Sequence, residues 1–161
     1  MCMSQPTAQT WEQLYRDEFP RLYRALLMVL RDRDLVLDAL HDAFAEGLER
    51  PPGHSDNLMG WLFRVALRRG RRSYRRRMLS ALRSVVLPAA RDDIASALDR
   101  AEVNRLLGML SARQRAIVVA EYYLDLDQDE IAQLFGVQRG TIAATLAQAR
   151  ARMRAGGGQD V

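Results

Sequence analysis

Eight of the fourteen residues from Arg64 to Arg77 are arginine, and no acid interrupts them. A guanidinium is permanently charged, and its planar fork of donors fits phosphate oxygens in pairs. On a helix this density covers most of the circumference, so the repulsion calls for a polyanion alongside. Each phosphate met there releases counterions, which makes such binding strong and salt-dependent. Trp61 and Phe63 stand just before the run. An aromatic beside cations can stack on unpaired bases, and for Trp61 a core anchor is the competing use. A second constellation is Asp127 to Leu146, DQDEIAQLFGVQRGTIAATL. Ala132 is small where two helices would cross, Gly136 suits a turn that needs positive φ, and Ile142 would pin the second helix to the first. Ile131, Leu134, Phe135 and Val137 complete the expected core. An ordinary helical hairpin is the alternative. The spacing and the acidic cap favour a helix-turn-helix, whose second helix, about Arg139 to Arg154, enters the major groove of DNA.

Little else in the chain could do chemistry. His41 and His54 are the only histidines, and neither has an evident nucleophile or metal partner. The lone cysteine, Cys2, excludes an internal disulfide and a multi-cysteine metal cluster. The expectation is a cofactor-free and metal-free binding protein, not an enzyme. The longest apolar stretch is the six residues Ala25 to Leu30, against roughly 20 for a membrane span. With no secretory signal visible at the start, a cytoplasmic protein without membrane insertion is expected.

Charge is distributed in blocks. All 24 basic residues are arginine. Residues 1–63 carry a net charge of −4, residues 64–91 of +10, residues 92–138 of −5 and residues 139–161 of +3. Two basic segments separated by an acidic one imply two polyanion contacts.

The elements that would position these groups all have the helical period, and no run shows strand alternation. Trp11, Leu14, Tyr15, Leu22, Tyr23, Leu26 and Leu30 form one stripe, with Pro20 either kinking that helix or opening a second. A helix over about Asp34 to Glu49 places Leu40, Ala43, Phe44 and Leu48 on one face, until Pro51-Pro52-Gly53 stops it. Ser55, Asp56 and Asn57 offer caps for a third helix carrying Leu58, Trp61, Leu62, Val65 and Ala66. Residues 78–97 read as a linker, with a helical turn or two around Leu79 to Val86 as an option. Leu98, Ala101, Leu106 and Leu107 begin another amphipathic helix. Ser111 with Gln114, and Asp127 with Glu130, are capping-box patterns that open the two helices after it. Gly156-Gly157-Gly158 predicts a flexible end. The fold class expected is all-α, with two small helical domains joined by a linker.

The order of these blocks resembles the extracytoplasmic-function (ECF) sigma factors of bacterial RNA polymerase. The residues that carry the resemblance are Asp38-Ala-Leu-His-Asp-Ala-Phe44, Trp61-Leu-Phe-Arg-Val-Ala with the arginine run, Leu110-Ser-Ala-Arg-Gln-Arg-Ala-Ile and the helix-turn-helix. The resemblance implies a region-two domain over residues 11–77, a linker over 78–97 and a region-four domain over 98–155. It implies that region two binds core RNA polymerase and reads the −10 element of promoter DNA, and that region four reads the −35 element. Asp38, Leu40, Asp42 and Glu46 fall on the polymerase-binding helix, three of them acids on one face suited to an arginine-rich partner helix. His54, Ser55, Asp56 and Asn57 occupy the loop that would hold a flipped −10 base, followed by Arg64, Arg68, Arg69, Arg71, Arg72 and Arg75 on the duplex side. At −35 the candidates are Arg139, Gly140, Thr141, Ala144, Thr145, Gln148, Arg150 and Arg152. An anti-sigma factor is an expected partner on the same resemblance.

Two departures stand out. Arg68 replaces the asparagine common after the tryptophan block. The family's recognition helix commonly reads S-x-G-T-V-K-S-R-L-x-R-A-R, whereas here no charge lies between Gly140 and Ala149. Base readout would rest on Thr141, Thr145 and Gln148, with Arg139, Arg150, Arg152 and Arg154 on phosphates. A sigma-like adaptor acting through protein partners is the alternative reading, and a stand-alone helix-turn-helix repressor a weaker one.

Overall fold

The computed structural model describes residues 6–53, 57–84 and 98–157, seven helices with no strand among them. The chain divides into two compact units, Met1–Arg91 and Asp92–Val161. The loop candidates His54, Ser55 and Asp56 lie outside the described residues.

The first unit is a bundle of α1 (Ala8–Leu30), α2 (Arg33–Glu49) and α3 (Leu58–Ser84), each packed on the other two. Thr7 caps α1 by accepting from the Thr10 N–H, and the helix continues unbroken through Pro20. Its last residue hands over to Arg31 in the left-handed region at φ 61°. Asp32 then caps α2 by accepting from the Leu35 N–H. The stripe on α1 is shifted from the expected one. Trp11, Leu22, Ala25, Leu26 and Val29 are buried, while Tyr15 is exposed. On α2 the buried face is Leu35, Val36, Ala39, Leu40, Ala43, Phe44 and Gly47. Leu48, expected on it, is 56% exposed because the buried arc is centred on Val36 and Ala43 and passes it by.

An aromatic cluster locks the bundle. The Trp11 ring lies 5.8 Å from Trp61 and 6.5 Å from Phe44. Trp11 also covers Gly47 so closely that a Cβ there would stand 2.6 Å from its ring. Gly47→Ala should therefore cost about 1–3 kcal/mol through forced repacking, to be read as a lowered thermal-unfolding midpoint with unchanged helical content.

The second unit contains α4 (Leu98–Gly108), α5 (Ala112–Tyr122), α6 (Gln128–Phe135) and α7 (Arg139–Gly157). Both expected capping boxes form, Ser111 with Gln114 and Asp127 with Glu130. Leu107, Leu110, Ile117, Leu124, Ile131, Ile142, Leu146 and Ala149 build the core. Ala101, expected on the apolar face of α4, is exposed.

The segment from residue 78 takes the helical option and continues α3 to Ser84, since no breaker intervenes. One boundary differs from expectation. The glycine tail is helical to Gly157, not free. The Gly156 carbonyl accepts from Arg105 Nη1 at 3.2 Å, and its missing side chain leaves room for Met109 of the loop after α4.

Candidate nucleic-acid interface

The α6–α7 pair has the geometry of a helix-turn-helix. Gly136 ends α6 at φ 64°, and its N–H donates to the Ala132 and Gln133 carbonyls. A left-handed residue turns the chain there, and glycine adopts it without the cost a Cβ would bring. Ala132 and Ile142 are buried where α6 meets α7. Leu134, Phe135 and Val137 are only half-buried, contributing less core than expected.

On α7 the outward face is neutral and small. Gly140, Thr141, Ala143, Ala144, Ala147, Gln148 and Ala151 are exposed. Three expected contact groups are engaged within the unit. Thr145 is half-buried, and its hydroxyl donates to the Thr141 carbonyl at 2.8 Å. Arg152 Nη1 donates to Gln114 of α5 at 2.9 Å, which anchors α7 and uses one fork of that guanidinium. Arg139 lies 3.6 Å from Asp129 of α6, an exposed pair. Arg150 and Arg154 are exposed and flank the neutral face.

In the first unit the two expected sites turn out to face each other. Arg69 donates to Glu46 Oε2 from Nη2 at 2.7 Å and from Nε at 3.3 Å, while Arg68 Nη2 reaches Glu46 Oε1 at 3.1 Å. Arg69 also lies 4.0 Å from Asp42. Further along, Arg77 lies 3.5 Å from Asp32 and 3.6 Å from Asp38. The arginine-rich helix that fits the acidic stripe of α2 is thus α3 of the same chain. Leu40, expected among the partner-binding residues, is fully buried and can touch no partner. Phe63 is likewise core, so it offers no stacking surface, and Trp61 is half-buried against Trp11. Asn57 caps α3, its Oδ1 accepting from the Gly60 N–H at 2.8 Å.

The remaining arginines divide by exposure. Arg71 is half-buried, whereas Arg64, Arg72, Arg75 and Arg76 are exposed and form no ion pair with a described residue. They leave an outward basic row beside Tyr74, which is 51% exposed. Sequence reading missed Asp32 as a partner in this network. Chain order allowed the pairing, since consecutive helices are usually spatial neighbours, but charge pattern does not distinguish the next helix from another molecule.

The Arg69 hydrogen bond holds the Glu46 carboxyl below the usual carboxylate range against its own desolvation, and Glu46 raises Arg69 in return. A depressed folded pKa adds stability above the unfolded value of about 4.3 and loses it as pH falls through the folded value. These groups are partly exposed, so solvent screening keeps the contribution below about 1 kcal/mol. Glu46→Gln should flatten the fall in melting temperature on acidification below about pH 4.3, as followed by circular dichroism.

Among the described residues no helix is long and apolar enough to cross a membrane, and no metal-binding cluster of His, Cys, Asp and Glu occurs. The family description "Sigma-70, region 4" matches residues 100–153. The RNA polymerase sigma-E factor of Streptomyces antibioticus is 28% identical over 156 residues, 94% of this chain and 87% of the relative. That of Streptomyces coelicolor is 28% identical over 148 residues, 89% and 84% of the two chains. The sigma factor RpoE from Bartonella quintana, solved in complex with the anti-sigma factor NepR, superposes with a TM-score of 0.75 at 23% identity, over 96% of this chain and all 100% of that one. CnrH, solved with the cytosolic domain of CnrY, gives 0.71 at 22% identity, over 96% and 92%. The last two are likenesses of fold.

Proposed function

We propose that this chain is a member of the extracytoplasmic-function sigma-70 family, and that it binds core RNA polymerase and directs promoter-specific transcription without catalysing a reaction itself. The observation that carries this reading is the similarity to the sigma-E factor of Streptomyces antibioticus, which extends over both units, 94% of the chain.

In this reading residues 11–77 form the region-two domain and residues 98–155 the region-four domain, with 78–97 linking them. The solvent edges of Asp38 and Asp42 meet basic groups of the polymerase; their side chains are 73% and 60% exposed. The loop around His54 to Asn57 holds a −10 base, and the outward row Arg64, Arg72, Arg75 and Arg76 tracks the adjoining phosphates. Region four inserts α7 at −35, with Arg150 and Arg154 on phosphates and Gln148 the one neutral side chain of the exposed face able to make a bidentate base contact. The protein works in the cytoplasm, where polymerase and DNA are, and an anti-sigma factor sequesters it as NepR is held by the Bartonella quintana protein.

Core binding is tested first. Reversing Asp38 and Asp42 together to Arg should abolish comigration with core polymerase on gel filtration while helical content is kept. Wild-type affinity in the double variant would exclude this face. A second reading, an adaptor without productive promoter recognition, is favoured by the neutral outward face of α7. It differs in leaving core polymerase unable to start at discrete sites.

A further inference from the structure

We propose that the carboxylates of α2 hold part of the α3 arginine run in reserve, Glu46 and Asp42 occupying Arg68 and Arg69, and Asp32 and Asp38 occupying Arg77, until a basic protein surface on α2 releases those guanidinium groups to phosphate. The inference rests on the reading that α3 meets DNA, and it adds a coupling between that contact and the polymerase contact.

The pairing is arranged as a phosphate would arrange it. The guanidinium of Arg69 presents Nε and Nη2 to a single carboxylate oxygen of Glu46, and Arg68 takes the other oxygen. A phosphate offers the same guanidinium groups the same kind of charged acceptor. The pairs also lie where a competitor can reach them. The side chains of Asp42 and Asp38 are 60% and 73% exposed, those of Arg68, Arg69 and Arg77 are 48%, 39% and 46% exposed, and Glu46, at 23%, is reached through its two arginines. Ion pairs this wet contribute little to stability, so exchanging a carboxylate for a phosphate costs little. Tyr74 and the exposed row of Arg72, Arg75 and Arg76 lie on the same helix, so a released Arg68 or Arg69 extends an existing basic surface.

Reciprocity follows. If a basic surface binds the α2 carboxylates more tightly when the arginines are on phosphate, then phosphate binds more tightly when that surface is engaged, by the same factor. The free protein would therefore show only its outward arginines to DNA, and the polymerase-bound protein the reserve as well.

The test uses the full chain without polymerase and a fluorescent twenty-nucleotide oligothymidine, with anisotropy titrations at several salt concentrations. Asp42→Asn with Glu46→Gln removes the two carboxylates nearly isosterically, and a thermal melt establishes folding. Asp17→Asn with Asp34→Asn is the charge-matched control, since both side chains are exposed and lie outside the network. Two added single-strand phosphate contacts steepen the log–log salt slope by about 1.4. The expected result is that steepening in the network variant and none in the control. Adding Arg68→Ala and Arg69→Ala to the network variant should then remove it, whereas the same pair of changes in the wild-type chain should leave the slope where it was. Equal slopes in the network variant and the control would overturn the proposal, as would a loss of slope on removing Arg68 and Arg69 from the wild-type chain. If instead Arg72→Ala with Arg75→Ala and Arg76→Ala leaves the wild-type slope unchanged, the reading that α3 meets DNA has failed and the reserve falls with it.

Discussion

Replacing Arg64, Arg72, Arg75 and Arg76 with alanine should lower the salt slope of holoenzyme–promoter binding by about 3 to 4, at roughly 0.9 per duplex phosphate. Over a fourfold rise in salt, from 50 to 200 mM, that is about two decades of affinity that the wild-type complex loses and the variant does not. The four side chains are exposed and outside the α2–α3 network, so the fold should survive their loss. Core affinity should stay as it was, because the contact assigned to polymerase lies on α2. Electrophoretic mobility shifts across a salt series would measure the slope. Permanganate footprinting of unpaired thymines would report whether strand opening slows with it. An unchanged slope and normal opening would reduce the row to ordinary solvated surface.

The second large effect is expected on α7. Ala143→Lys with Ala147→Arg places two cations on an outward face that carries none between Gly140 and Ala149. Both positions are exposed, and Arg150 and Arg154 already flank them. One of the new side chains on a phosphate should steepen the slope by about 0.9, and the other on a guanine edge of the −35 element should add about 1–3 kcal/mol of discrimination. The comparison is holoenzyme bound to matched promoters with and without a −35 element. The wild-type protein should distinguish them weakly and the variant clearly. Strong discrimination by the wild type would mean that the neutral face reads bases through Thr141 and Gln148 to a degree their chemistry does not suggest.

Local features were the most legible in the sequence. The two capping boxes, the turn at Gly136 and the pin at Ile142 each depend on a few residues close in the chain, and each has the expected geometry. Features set by packing between helices were less so. Leu48 fits a helical stripe as well as Val36 does, but α1 and α3 cover an arc that leaves it outside. Gly156 reads as a loose end until Arg105 and Met109 are seen to receive it. The acidic stripe of α2 was legible as a face seeking arginines. Its partner was not, because charge pattern alone does not say whether the complementary surface is another molecule or the next helix. Leu40 was a contact candidate through the family resemblance alone; the helical stripe had already set it on the apolar face with Ala43 and Phe44, and it lies fully inside. Of the −10 loop, His54 to Asp56 lie outside the described residues, and Asn57 has a capping role.

The central claim is that this protein makes RNA polymerase start at chosen sites. Its most direct test is run-off transcription with purified core polymerase on a pool of genomic fragments, with and without the full-length chain. The account predicts discrete transcripts that appear only with the protein and whose upstream sequences share a −10 element. Stable core binding with no discrete transcripts would contradict it, and would leave the adaptor reading in its place.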